Sequence, residues 1–126
     1  MRFLKYQLPA LLYAGLIIGL SSLSDVKLPR VQYVEIDKVI HFCEYALFTL
    51  LIYRAMYHLH PAIGKREASF LSLGFVALFA FGDEFYQSFV PGRQSDYADF
   101  LTDVAASAVV VVLVSLWGRR LQRIIA

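Results

Sequence analysis

The chain has 126 residues, of which 59% are hydrophobic and 17% are charged, and its formal net charge is +2. Soluble domains carry about 45–50% apolar and about 25% charged residues, so this composition indicates a membrane protein, and the length suits one domain. The small net charge and the lack of a basic run argue against a nucleic-acid partner. A lone cysteine, Cys43, excludes an intramolecular disulfide and a cysteine-rich metal site.

Four apolar stretches are long enough to cross a bilayer as helices, which takes about 20 residues each. They cover residues 6–23, 39–57, 68–90 and 99–117. The fourth contains a valine run that favours a strand in water, but a lone strand in lipid leaves its backbone groups unpaired. Short connections containing Pro and Gly separate the last three stretches, so these helices should be antiparallel neighbours. We therefore expect residues 1–126 to form an all-α integral membrane four-helix bundle.

The first stretch permits two interpretations. Arg2 and Lys5 precede an apolar run, as in a secretory signal peptide. The run is long for that purpose, and its end, GLSSLSD, is a poor cleavage site, so we expect a retained helix. Pro9 would then lie in the first helical turn, where its missing N–H costs least.

Lysine and arginine residues are divided unevenly between the two sides of the predicted bundle. One side carries Arg2, Lys5, Arg54, Lys65, Arg66, Arg119, Arg120 and Arg123, and the other carries Lys27, Arg30, Lys38 and Arg93. Because cytoplasmic loops are enriched in these residues, both termini should be cytoplasmic. Every acidic residue except Glu67 lies at or near the opposite, outer end.

Each of the last three predicted helices has one polar face near that outer end. At 100° per residue the faces consist of Asp37, His41 and Glu44, then Asp83, Glu84 and Gln87, then Asp96, Asp99, Asp103 and Ser107. An ionisable side chain that faces lipid costs about 2.5–3.5 kcal/mol, so the three faces should converge on one shared site.

Helix capping is the alternative explanation for some of these residues. Asp37 suits the N-cap of its helix, and Asp96 and Asp99 suit the positive end of the fourth helix behind a Ser95 cap.

Asp83 and Glu84 do not have that explanation, because they lie near the C-terminal, negative end of their helix. They need partners, either in a structural ion-pair network or in a functional site. The available side chains are those of Lys38, His41, Gln87 and Arg93. We expect His41 to approach one of the two carboxylates, with Arg93 closing over the same pocket.

Two segments, DKVIHFCEY (37–45) and DEFYQSFVPGRQSDYADFLTD (83–103), resemble the VanZ-like family of small bacterial membrane proteins. The family pattern is D-K-x-x-H-F at the start of one helix, D-E-x-x-Q-x-F-x-P-x-R at the end of the next, and an Asp at the start of the last. The matching residues are Asp37, Lys38, His41, Phe42, Asp83, Glu84, Gln87, Phe89, Pro91, Arg93 and Asp99. The chain departs from it at Asp103, where the family usually has Asn, and at Ala106 and Val110, where it usually has Gly.

The resemblance implies a role in the cell envelope, since the named member of the family is linked to low-level resistance to the glycopeptide teicoplanin. One possible class is a binding or envelope-modulating protein that engages a glycopeptide, a lipid-linked wall precursor or a lipid headgroup in the surrounding bilayer. Its binding residues would be Asp37, Lys38, His41, Glu44, Asp83, Glu84, Gln87, Arg93, Asp99 and Asp103.

Two other classes stay open. In a membrane enzyme acting on such a lipid, Asp83 or Glu84 would be the general base, His41 an acid or base, and Lys38 and Arg93 would clamp a phosphate or carboxylate. In a scaffold, the same groups would only hold the helices together. No cofactor is expected; a metal held by His41 and carboxylates is the alternative, which no tight ligand spacing supports. The sequence does not predict an oligomeric state.

The uneven distribution of Lys and Arg generates a test of orientation. Reporters fused after Ala126 or within residues 58–66 should read as cytoplasmic, and reporters within residues 91–98 as external. An external readout at the C-terminus would contradict this orientation.

Overall fold

The computed structural model of the protein describes residues 1–23, 36–117 and 120. Within these ranges the chain forms four helices and no strand: α1 (Arg2–Ser21), α2 (Ile36–Tyr57), α3 (Lys65–Gln87) and α4 (Tyr97–Leu116). Each helix is long and apolar enough to cross a membrane. The predicted all-α membrane bundle is therefore confirmed, whereas the cytoplasmic placement of both termini stays a prediction. Some charges in that argument lie outside the described residues, namely Asp25, Lys27, Arg30, Glu35, Arg119 and Arg123.

Each helix begins two to four residues before the start that its apolar stretch predicted. Their first turns include polar residues such as Lys65, because a helix end can reach water while its middle lies in lipid. The predicted position of Pro9 in the first turn is therefore wrong, and this residue lies inside α1. At its C-terminal end, α3 stops at Gln87 rather than at residue 90, and a turn precedes Pro91.

The N-cap of α4 is Asp96, whose side chain accepts a hydrogen bond from the Ala98 N–H at 2.9 Å. The predicted Ser95 cap is thus wrong by one residue, and Ser95 is free to turn toward α3. Asp37 is the second residue of α2 rather than its cap. Its carboxylate still lies in the first turn, at the positive end of the helix dipole.

Helices α2, α3 and α4 pack against one another, and α1 packs mainly on α2. The starts of α2 and α4 meet through Lys38 and Asp96, and the ends of α3 and α1 meet through Gln87, whose side chain donates to Ser21. The Asp96 N–H donates to Glu84, which places the two starts beside the two ends. We call this the acidic end of the bundle. The opposite end, where α3 starts at Lys65 and α4 ends at Leu116, is the basic end.

The centre of the bundle is built from aromatic and small side chains. Tyr45 and Phe48 of α2 are fully buried, and Phe48 packs on Phe79 with ring centroids 4.8 Å apart. Ala80 and Ala106 are also fully buried and belong to the same core. Between membrane helices, such small residues let backbones approach closely, which strengthens van der Waals packing where no hydrophobic effect assists.

Ala106 should be intolerant of a larger side chain. Ala106→Leu adds volume to a fully packed position and should lower the free energy of unfolding by about 1–3 kcal/mol. Ala105→Leu is the matched control, because the neighbouring alanine is exposed and its change should stay within about 0.5 kcal/mol. Unfolding of the detergent-solubilised chains measures both, and equal losses would contradict the packing argument.

Candidate functional site

Polar side chains from α2, α3 and α4 meet at the acidic end. We call this set the polar cluster and define it by Lys38, His41, Tyr45, Asp83, Glu84, Asp96, Asp99 and Asp103. Its α2 members recur at i, i+3 and i+7, which places them on one face of the helix. All of its carboxylates except Asp96 are at least nine-tenths buried.

Lys38 joins the starts of α2 and α4. Its ammonium donates to Asp96 at 2.7 Å and also to Asp99, and Asp37 lies 3.6 Å away. The hydrogen bond from Lys38, with help from the Ala98 N–H, lowers the pKa of Asp96. The contribution of Asp96 to stability is therefore present at neutral pH and is lost as the pH falls through that depressed pKa.

His41 lies one turn deeper and faces two carboxylates of α4. Its Nδ1 is 3.1 Å from Asp103 Oδ1, and its Nε2 is 3.8 Å from Asp99 Oδ2. A carboxylate can only accept, so the proton of this pair belongs on Nδ1. The hydrogen bond goes to Asp103 rather than to Asp83 or Glu84, although Glu84 offers an oxygen within 4.8 Å of the ring.

The two carboxylates of α3 have separate partners. Asp83 accepts from the Tyr45 hydroxyl at 3.1 Å and from the Gln87 amide at 3.3 Å. Glu84 accepts from the Asp96 backbone N–H at 3.1 Å and from the Ser95 hydroxyl at 3.4 Å. These donors come mainly from α2 and from the start of α4, and they oppose the adverse dipole of the α3 C-terminus.

Several oxygen atoms at this end remain buried without a hydrogen-bond partner among the described residues. They are Asp83 Oδ1, Glu84 Oε1, Asp103 Oδ2 and Ser107 Oγ. Unsatisfied buried polar atoms are rare in proteins and each costs about 1–3 kcal/mol, more for a charged group. These four oxygens belong to side chains of α3 and α4.

Two of the predicted site residues lie at the margin of the cluster. Arg93 donates to the Leu20 carbonyl at 3.3 Å, at the end of α1, rather than to a cluster carboxylate. The turn before it is set by Pro91 and by Gly92, whose φ of 80° suits glycine. The side chain of Glu44 is half-buried, and its described hydrogen bond is through the backbone carbonyl, from the Tyr13 hydroxyl at 3.3 Å.

The acidic end contains two groups of side chains with the composition of a cation site. One is Asp37, His41 and Asp99, and the other is His41, Glu84 and Asp103; within each, the ligand atoms lie within 4.8 Å of one another. Both groups require the same imidazole, so they are alternative uses of His41. Mixed imidazole and carboxylate ligands suit a divalent metal, although the sequence led us to expect no cofactor.

Sequence reasoning missed Tyr45 and Ser95 as members of this region. Tyr45 is fully buried, and its hydroxyl reaches Asp83 on the next helix. The available signal was its position one turn after His41, which continues the polar face of α2. Whether any of these residues binds a ligand or catalyses a reaction stays a prediction.

The hydrogen bond between Tyr45 and Asp83 can be tested by removing one oxygen. Tyr45→Phe keeps the ring in the core but deprives a buried carboxylate of a donor, which should cost about 1.5–3 kcal/mol. Tyr97→Phe serves as the control, since that ring is 72% exposed and the change should be close to neutral. Thermal unfolding in detergent compares the two variants, and a neutral Tyr45→Phe would contradict a strong bond.

Comparison with known proteins identifies the family of the chain. The family model described as VanZ/LLP1 matches residues 4–118, which include α2, α3, α4 and all but the first two residues of α1. No curated protein and no solved structure matches the chain significantly. The match extends over nearly the whole sequence, and the chain belongs to the VanZ/LLP1 family.

Proposed function

We propose that this chain is a multi-pass protein of the bacterial inner membrane that recognises an amphiphilic envelope molecule at the polar cluster. By doing so it alters the response of the envelope to agents such as teicoplanin-type glycopeptides. The observation that carries the proposal is the group of buried, unpartnered carboxylate oxygens at the acidic end. If the Lys and Arg distribution sets the orientation, this end faces the outer leaflet.

The charges of the cluster favour a ligand that supplies protons, hydrogen-bond donors or a cation. Its carboxylates outnumber its cations, because Lys38 and His41 face the acids Asp83, Glu84, Asp96, Asp99 and Asp103. Buried charge without compensation is costly, so a hydrogen-bond donor that reaches these ionised oxygens lowers their free energy. Amine, amide or hydroxyl groups of a glycopeptide or of a wall precursor have the required chemistry.

A direct phosphate contact has less support. The Lys38 ammonium already pairs with Asp96 and Asp99, and Arg93 donates to the Leu20 carbonyl. A phosphate would have to displace those acceptors and would meet excess negative charge. The cluster therefore favours the peptide or sugar portion of a lipid-linked precursor over its phosphate.

An apolar cavity beside Glu84 makes an amphiphilic ligand the best candidate. It has a volume of about 220 Å³ and lies between the end of α3 and the start of α4. Its lining combines aromatic rings with polar groups: Phe81, Glu84, Phe85, Ser88, Ser95, Tyr97 and Phe100. A ligand held by lipid could place an apolar portion against the rings and a donor against Glu84.

A membrane enzyme is the second candidate, and the contact between His41 and Asp103 favours it. An imidazole oriented by one carboxylate, with an oxygen of Glu84 within 4.8 Å, has the composition of an acid–base pair. The two functions differ in the fate of the ligand. A binding protein releases it unchanged, whereas an enzyme releases a product of different mass.

Glu84→Gln tests the proposal with little change of shape. A glutamine oxygen can still accept from Asp96 and Ser95, so the variant should fold and accumulate in the membrane at near-parental levels. The charge and the unpartnered acceptor are lost, and with them the envelope phenotype should be lost. The measurements are membrane abundance, melting in detergent and glycopeptide susceptibility of cells that express each chain.

Thr102→Ala is the matched control on α4, since the Thr102 hydroxyl donates only within its own helix, to the Ala98 carbonyl at 2.8 Å. It should retain the phenotype. A Glu84→Gln chain that also retains the full phenotype would refute the proposal. If Glu84→Gln disappears from the membrane while Thr102→Ala persists, the polar cluster acts as a scaffold.

A further inference from the structure

A second and larger cavity lies at the basic end, away from the polar cluster. Its volume is about 780 Å³, and it lies between the start of α3 and the end of α4, with Tyr53 of α2 on its lining. The inner wall is apolar and includes Phe70, Leu73 and Val114. No part of the polar cluster contributes to it, so its role is independent of the function proposed above.

Three cationic side chains line the same cavity: Lys65, Arg66 and Arg120. Within the part of the chain that the structure describes, none of them forms an ion pair. Arg66 instead lies over the Phe70 ring, 5.8 Å from its centroid. These cations are thus available to an anion, at the end of the bundle where the helices leave the apolar layer.

The start of α3 has backbone donors on this side, but a carboxylate of the chain itself lies beside them. Its N-cap is Gly64, which offers no side-chain cap, and the first N–H groups of a helix attract anions. The nearest acid along the chain, Glu67, turns back toward Gly64. Its Oε2 lies 2.6 Å from the point that a Cβ on Gly64 would occupy. Its carboxylate therefore lies beside the N-cap.

We propose that this basic cavity binds the headgroup of an anionic phospholipid, such as phosphatidylglycerol, from the leaflet at the basic end. The three cations contact the phosphate, and the apolar wall contacts the glycerol and the first methylenes of the acyl chains. Trp117 on the rim suits the interface between headgroups and acyl chains. The combination of a charged rim with an apolar wall favours a phospholipid over a soluble anion, which would use the rim alone.

The test uses the full chain in nanodiscs with phosphatidylglycerol and phosphatidylcholine of matched acyl chains, followed by measurement of the lipids that remain bound. Arg66→Gln/Arg120→Gln removes two charge-assisted contacts to the phosphate and should reduce the preference for phosphatidylglycerol about tenfold or more. Arg66→Lys/Arg120→Lys keeps the charge and should retain most of the preference.

Arg2→Gln/Lys5→Gln is the matched control, because it removes two exposed charges at the same end but outside the cavity. It should leave the preference within about twofold of the parental chain, because these exposed charges are screened by salt and do not contact the bound headgroup. Equal losses in the two double variants would overturn the proposal, since they would indicate attraction by net charge alone.

Two further measurements distinguish a phospholipid from a soluble anion as the ligand of the basic cavity. Leu73→Trp fills the apolar wall with all charges retained and should also weaken the preference. Inorganic phosphate in excess should not displace phosphatidylglycerol beyond the effect of chloride at equal ionic strength. Full displacement by phosphate, or an unchanged preference in Leu73→Trp, would assign the cavity to a soluble anion and overturn the lipid proposal.

Discussion

The ion pairs between the first turns of α2 and α4 are the constraint on which the acidic end depends. Lys38 pairs with Asp96 and Asp99, and His41 pairs with Asp103 one turn deeper. Asp99 and Asp103 are buried where no water solvates them, so each is tolerable only when its partner is in place. The pairs therefore set the rotation of α2 relative to α4, and with it the apolar faces that the two helices present to the core.

The carboxylates of α3 depend on that arrangement. Asp83 obtains its hydroxyl donor from Tyr45 on α2, and Glu84 obtains its N–H donor from the backbone of Asp96. Asp96 is held by Lys38, so a single lysine positions the group that satisfies a carboxylate on the third helix. The Pro91-Gly92 turn brings α4 back beside α3 and allows this bond, and the left-handed conformation at Gly92 explains the glycine there.

The departures from the family pattern are consistent with these contacts. Asn at the position of Asp103 would still offer an acceptor oxygen to His41 Nδ1, so the contact does not require a carboxylate. Ala106 is fully buried beside the core, and a small side chain there keeps α4 close to its neighbours. Val110 is also buried, yet it belongs to a second core cluster with Tyr53, Ala68 and Val114, where more volume is accommodated.

The chain has different chemistry at its two ends. At the acidic end, charges are paired inside the bundle, and unpartnered carboxylate oxygens remain near an aromatic cavity. At the basic end, cations that form no ion pair among the described residues line a larger apolar cavity. The two proposals therefore concern separate surfaces of opposite charge, one suited to donor-rich ligands and the other to anionic headgroups.

The sequence by itself determined the four spans, their antiparallel order and the convergence of polar faces, because length, hydropathy and helical periodicity are local properties that lipid enforces strictly. It did not determine which acid meets which base. His41 had several carboxylates within reach, and its choice of Asp103 depends on the rotation and depth of α4, which only packing decides. Tyr45 and Ser95 likewise became donors because neighbouring helices brought Asp83 and Glu84 to them, and no periodicity within one helix contains that information.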